Sequence, residues 1–171
     1  MPRMTIPLMN NYACLALAEE TEAARVQLYD LVPRFSKEAL TTGDVEKEDN
    51  VRGILCHVTG AAFSYACWIA RVLGRLDPEQ EKKDKAAFLA RVRAITDGPG
   101  FEEASRSAAE RYYSVLSTVT AKELEAVHST NWGTPMEVEC MLEHALVHLL
   151  RHRRQLEIHL GIRERGKIAE A

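Results

Sequence analysis

Four of the six histidines in this chain fall within one stretch, EHALVHLLRHRRQLEIHLG at positions 143–161. They are His144, His148, His152 and His159, and the first three stand four residues apart. At about 100° per residue, His148 and His152 lie about 40° apart on a helix, and His144 lies about 40° to the other side of His148. His159 returns to the same arc. The arc overlaps the apolar positions Met141, Ala145 and Leu156, which points the imidazoles into a packed interior rather than at solvent. A fifth histidine, His57, sits in a second apolar helical pattern with Ile54, Val58, Ala61 and Tyr65. An i, i+4 histidine pair on one helix, joined by a third imidazole from another, is a ligand set for a divalent ion such as Zn, Ni, Cu or Fe. Three such ligands leave a position open for water or substrate. The plain alternative is a satisfied polar core, because every buried imidazole needs hydrogen-bond partners away from water. A solitary buried histidine is ordinarily of that kind, and His128 and His159 are read so. Glu143 lies about 140° round the helix from His148. It therefore offers no general base, and a nucleophile at this site would have to be activated by a metal.

The elements that must carry these residues read as helical almost throughout. A first helix starts at Asn10 or Asn11, good N-cap residues, and ends at Pro33. Residues 34–49 form a polar connection with turn signals at Gly43 and Asp44. A second helix covers residues 50–73, with one broad apolar face that contains His57. Residues 74–81 turn the chain, 82–96 form a shorter helix, and Asp97-Gly98-Pro99-Gly100 breaks it. A further long helix runs over 101–119. The sequence Thr134-Pro135-Met136-Glu137 reads as a capping box with proline at N1, opening a last helix of about 26 residues that stops near Gly161. Four long amphipathic helices without an alternating strand pattern predict an all-α four-helix bundle, with a short extra helix before the third long one. The 171 residues are expected to form a single domain, 1–171.

Composition bounds the function. The chain is 46% hydrophobic and 27% charged, ordinary for a globular protein, and its formal net charge is −3. That balance argues against a general nucleic-acid binder. Arg151, Arg153, Arg154, Arg163, Arg165 and Lys167 form a local basic cluster, which a helix C-terminus favours electrostatically. No uninterrupted apolar run approaches the roughly 20 residues that span a bilayer. The opening MPRMTIPLMNNY is too short in its apolar part for a signal peptide, so a cytoplasmic location is expected, with no membrane partner. The four cysteines, Cys14, Cys56, Cys67 and Cys140, form no CxxC pair and read as small buried hydrophobes. A homodimer is expected, C2 being the commonest closed symmetry.

Three features in fixed order resemble a known family. They are a histidine in the apolar second helix followed by a tryptophan (His57, Trp68), the sequence Trp132-Gly133-Thr134-Pro135, and His-x-x-x-His-Arg-x-Gln at His148, His152, Arg153 and Gln155. Together they resemble the DinB/YfiT-like superfamily of metal-binding four-helix bundles, over residues 10–161. The resemblance implies an up-down-down-up topology and the ligand set His57, His148 and His152, with a divalent metal, Zn or Ni, as cofactor. His144 then falls one turn early, as a neighbour of the ligands or a pocket residue. Arg154 stands where many members of the family carry a small residue. Relatives of this kind include thiol-dependent S-transferases, a thiol-dependent isomerase and metal-dependent hydrolases. The implied function is thus a metal-dependent thiol S-transferase or small-molecule hydrolase, with a small-molecule substrate and a low-molecular-weight thiol. The alternative is a non-catalytic, stress-associated bundle that binds metal or a small ligand.

Overall fold

The computed structural model describes residues 2–130 and 133–163. The chain is mostly helical. Its elements are α1 (Tyr12–Tyr29), a 3-10 turn (Val32–Arg34), α2 (Lys37–Thr41), α3 (Val51–Val72), α4 (Pro78–Arg93), α5 (Gly98–Leu116), α6 (Ala121–Leu124), β1 (Val127–His128), β2 (Met136–Glu137) and α7 (Val138–His159). The four longest, α1, α3, α5 and α7, pack in a closed ring. Each touches two others, α3 against α5 and α7, and α1 against α7 and α5, while α4 packs on the outside of α3.

The helix starts follow local chemistry. Asn11 caps α1 by accepting from the Cys14 amide at 2.8 Å, and Asn50 caps α3 by accepting from the Gly53 amide at 2.8 Å. Asp97 caps α5 through the Gly100 amide at 2.7 Å, so the segment expected only to break a helix also begins the next, three residues earlier than predicted. Pro33 lies within the 3-10 turn after α1, and the polar connection 34–49 contains the short helix α2. At the far end, Gly161 adopts φ +69, the left-handed backbone that a glycine after a helix supplies without a Cβ clash.

The expected capping box at Thr134–Glu137 does not form. Met136 and Glu137 are extended and pair antiparallel with Val127 and His128, in the register Val127↔Glu137 and His128↔Met136. The Val138 amide donates to the Ala126 carbonyl at 3.1 Å, and the Thr130 hydroxyl donates to the Thr134 carbonyl at 2.7 Å. These bonds satisfy backbone groups that a helical turn would have used, and α7 starts at Val138 without a side-chain cap. The ribbon also corrects the expectation of no strands. A genuine capping box occurs instead at Thr120 and Glu123 on α6. Trp132 lies outside the described residues, as do Arg165 and Lys167 of the basic cluster.

Helix α3 is, by length and a mean hydropathy of 1.4, apolar enough to cross a membrane. Its apolar window is 67% buried inside the fold, as for a central core helix. Ile54, Leu55, Val58 and Ile69 are among its fully buried residues. Two apolar clusters fill the interior. One surrounds Trp68, Tyr112, Met141 and Leu142, and the other surrounds Tyr29, Ile54, Phe101 and Leu156.

A three-histidine candidate metal centre

Helices α3 and α7 run antiparallel along their contact. Tyr65 meets His144, His57 meets His148 and His152, and the loop before α3 meets Arg151. This places one imidazole of α3 against the i, i+4 pair of α7. His148 Nε2 lies 3.0 Å from His57 Nε2 and 3.1 Å from His152 Nε2. One ligand nitrogen from each of the three residues falls within 4.8 Å of the other two. The three histidines that the resemblance implied as ligands, His57, His148 and His152, thus come together in space.

Burial is graded across it. His152 is fully buried, His148 is half-buried, and the His57 side chain is 39% exposed. His57 was expected inside the apolar face of its helix; it lies instead at the rim, where α3 faces a cleft. That cleft has a volume of about 380 Å³. His57 and His148 open into it, Tyr65, Trp68 and Leu89 supply apolar wall, and Lys85 and Arg93 also border it.

Hydrogen bonding fixes the buried imidazole. His152 Nδ1 donates to Gln155 Oε1 at 2.5 Å, which leaves the Nε2 lone pair facing the other imidazoles. The motif His-Arg-x-Gln therefore has two separate tasks. Gln155 orients the ring of His152. Arg153 points away, donating to Glu157 at 2.8 Å and to Gln27 on α1, and so ties α7 to its neighbour.

Electrostatics keep His148 and His152 neutral. Burial, reinforced by the adjacent His152 and His57, lowers the pKa of His148 to about 3. Burial and His57 lower that of His152 to about 4, against the opposing pull of Gln155 and Glu48. Both are neutral at pH 7, the form that binds a metal. The three facing nitrogens also fit a cation better than they fit one another. With its Nδ1 proton committed to Gln155, His152 presents only a lone pair at Nε2. His148 Nε2 carries at most one proton for two contacts. If it carries none, it meets His152 lone pair to lone pair; if it carries one, that proton cannot lie straight along both directions. A divalent ion between them satisfies all three lone pairs at once.

Glu48 is the residue that the sequence pattern missed. Its carboxylate lies 3.4 Å from His57 Nε2, 4.0 Å from His152 Nδ1 and 3.3 Å from Arg151. It belongs to the loop before α3, outside any helical period. Asn50 holds that loop, donating to the carbonyls of Asp44 at 3.0 Å and Lys47 at 3.2 Å. Gly53 lets it approach, since a Cβ there would collide with the Lys47 carbonyl. The capping asparagine is the one signal that made this loop legible as ordered.

The remaining candidates do not join the site. His144 is exposed and packs its ring 5.6 Å from that of Tyr65, which in turn lies 5.7 Å from His148. His159 is exposed, not a core residue as expected. Its helical angle was read correctly, but it lies about 10 Å beyond His152 along the axis, past the level at which α3 begins. His128 is half-buried in the ribbon rather than in the core. Arg154 and Glu143 are exposed. Cys14, Cys56 and Cys67 are buried free thiols, as expected, and Cys140 is half-buried.

Comparison with curated proteins gave no match, and neither did comparison with solved structures. The model of the DinB family, however, matches residues 9–167. With a helical fold and three converging histidines in the order that first suggested it, the chain belongs to the DinB family.

Proposed function

We propose that the protein is a metal-dependent enzyme that transfers a low-molecular-weight thiol to an electrophilic small molecule, or hydrolyses a small substrate. The observation that carries this reading is the convergence of three imidazoles, from α3 and α7, beside a cleft into which two of them open. His57, His148 and His152 would hold a divalent ion, Zn or Ni. Bound there, the ion supplies Lewis acidity that lowers the pKa of a thiol or water. Because all three ligands are neutral, they leave most of the ion's charge in place.

The chain's own residues supply the rest. Gln155 holds His152 in the tautomer that turns Nε2 inward. Tyr65 and Trp68 form an apolar wall beside the histidines, and the volume suits a small organic substrate. The packed ring of α1, α3, α5 and α7 is read as the up-down-down-up four-helix bundle, in a single domain covering 1–171. A cytoplasmic homodimer without nucleic-acid or membrane partners completes the reading, in keeping with the acidic balance of the chain.

The experiment is elemental analysis of the purified protein, followed by a screen of thiols against electrophilic acceptors and of hydrolysable esters and amides. One divalent ion per chain and turnover abolished by a chelator are the expected results. Bound metal without turnover across the panel favours the second reading, a non-catalytic metal- or ligand-binding protein. Absence of bound metal after reconstitution overturns both.

A further inference from the structure

Three histidines complete the ligand set that the helices provide, but the loop before α3 brings a fourth candidate group to the same place. We propose that Glu48 is a removable fourth ligand, a carboxylate that closes on the ion from the loop side and is held by Arg151 when it withdraws. The proposal rests on the three-histidine site being a metal centre.

The first observation is distance. Glu48 Oε1 stands 3.4 Å from His57 Nε2, the same nitrogen that faces His148. Two ligands at about 2.0–2.1 Å from one tetrahedral ion are separated by about 3.3 Å. The carboxylate is thus spaced from His57 as a neighbouring ligand would be. Among the described residues, the set whose ligand atoms all lie within 4.8 Å contains only the three histidines, so Glu48 stands just outside it on the His57 flank.

The second observation is direction. Glu48 is not among the residues that border the cleft, whereas His57 and His148 are. Its carboxylate does not border that cleft, which remains free for a small molecule, although Val45 and Glu46 of the same loop line it. A ligand from the loop therefore does not compete for the space in which a substrate sits.

The third is the alternative partner. Arg151 lies one residue before His152 and reaches Glu48 Oε2 at 3.3 Å. Both side chains are partly exposed, 63% for Arg151 and 31% for Glu48, so the pair is held weakly by solvent-screened attraction. An ion pair of that kind can open at little cost when a divalent cation arrives. The backbone on either side of Glu48 is held by Asn50 through the Asp44 and Lys47 carbonyls, so a change of partner requires movement of the Glu48 side chain only.

The test uses the full-length protein loaded with Co(II), with visible absorption and the dissociation constant as readouts. Glu48→Gln is expected to weaken Co(II) binding tenfold or more and to change the d–d absorption bands, because one oxygen ligand is lost. Arg151→Gln, which removes only the competitor, is expected to tighten binding several-fold with the wild-type bands kept. Thermal unfolding of the metal-free variants checks that both are folded. Unchanged bands in Glu48→Gln would overturn the proposal, even with weaker binding, since a charge acting through space leaves the ligand set intact. Equal and same-signed effects of the two substitutions would overturn it too, assigning Glu48 to tethering Arg151. Failure of the wild-type protein to bind Co(II) would instead bring down the metal centre itself, and this proposal with it.

Discussion

The interior of this protein holds two polar constellations, and they are built on opposite principles. Between α1 and α5, Arg25 donates to both carboxylate oxygens of Glu22, at 2.6 and 2.8 Å, and to the Ser105 hydroxyl at 3.1 Å. Tyr113 and the Met4 amide add bonds to the same carboxylate at 2.8 and 2.7 Å. Charges oppose, donors meet acceptors, and both charged side chains are almost wholly buried. Between α3 and α7, His148 lies within hydrogen-bond distance of both His57 and His152, like group against like group, and the nearest carboxylate, Glu48, stands to one side, 3.4 Å from His57. Folding alone explains the first arrangement, because it leaves nothing unsatisfied. It accounts less well for the second, where His148 faces two other imidazoles in an arrangement that a cation would satisfy better. Unsatisfied convergence, more than burial or residue type, makes the histidines the candidate functional centre.

The largest expected effect separates the two constellations by what they hold. His148→Ala removes the nitrogen shared by both close contacts, and metal retained after gel filtration should fall to near zero by elemental analysis. Arg25→Ala should leave about one ion per folded chain. Metal retained by His148→Ala at the wild-type level would make the histidines a polar core network like the other.

Stability should rank the same two substitutions in reverse. Arg25→Ala strands a buried carboxylate, and breaking a buried pair in this way costs about 3–5 kcal/mol. In metal-free protein, His148→Ala removes a half-buried imidazole whose contacts are poorly satisfied, and urea denaturation should show a loss well below that of Arg25→Ala. Equal losses would mean that the histidine cluster is as structural as the ion pair.

Titration divides the regions by pH window. His148 and His152 have folded pKa values of about 3 and about 4, below the usual 6.5. The unfolded chain therefore binds more protons than the folded one between those values, and stability rises with pH there. Metal-free protein should lose stability as pH falls from about 6.5 towards 4. The change should be shallower in His148→Ala. Burial tends to raise the pKa of Glu22, but its bonds from Arg25, Met4 and Tyr113 hold it below the usual carboxylate range. Its contribution is lost only at more acid pH, below about 4.3. Denaturation curves at pH 7, 5.5 and 4 distinguish the two steps, and a flat profile between pH 7 and 5 would contradict the depressed histidine values.

How far the sequence revealed each region follows from what fixed it. The i, i+4 spacing of His148 and His152 is a property of one helix, and it survived the three-residue shift in the start of α7. Asn11 and Gly161 were legible for the same reason, since a cap acts within one turn. His57 was identified by its helix but not by its exposure, which depends on the cleft beside α4. His159 had the right angle and the wrong surroundings, because periodicity does not say where the facing helix ends. Thr134–Glu137 carried a strong local helix signal, and pairing with Val127–His128 overrode it. Glu48 had no period at all; its place depends on Asn50, Asp44 and Gly53 folding a loop over the first turn of α3. The Glu22–Arg25 pair lay in plain view at i, i+3, yet its partners Ser105 and Tyr113 come from 80 and more residues away.

A smaller effect tests the support around the ligands. Gln155→Ala frees His152 Nδ1 and allows the ring to take the wrong tautomer. Losing such a support typically weakens metal affinity about 10–100-fold. Competition with a chromophoric chelator measures it, and affinity within a factor of two of wild type would show that packing alone orients His152.

The smallest effect is expected at His144. It shares the four-residue spacing of the two ligands on α7, so sequence alone permits a site built one turn earlier, from His144 and His148. The structure separates the two registers. His152 is fully buried and tied to Gln155, while His144 is exposed and lies against Tyr65, outside the group of converging nitrogens. Its link to the centre is indirect, through the Tyr65 ring that also touches His148. His144→Ala should therefore change metal affinity by no more than about threefold, a shift of well under 1 kcal/mol. His152→Ala should lose most of the metal. The reverse ranking, with His144→Ala stripping the ion and His152→Ala keeping it, would move the centre one turn towards the start of α7. It would also take Glu48 and Gln155 out of reach of the metal, so a single pair of chelator titrations tests the register on which the whole site depends.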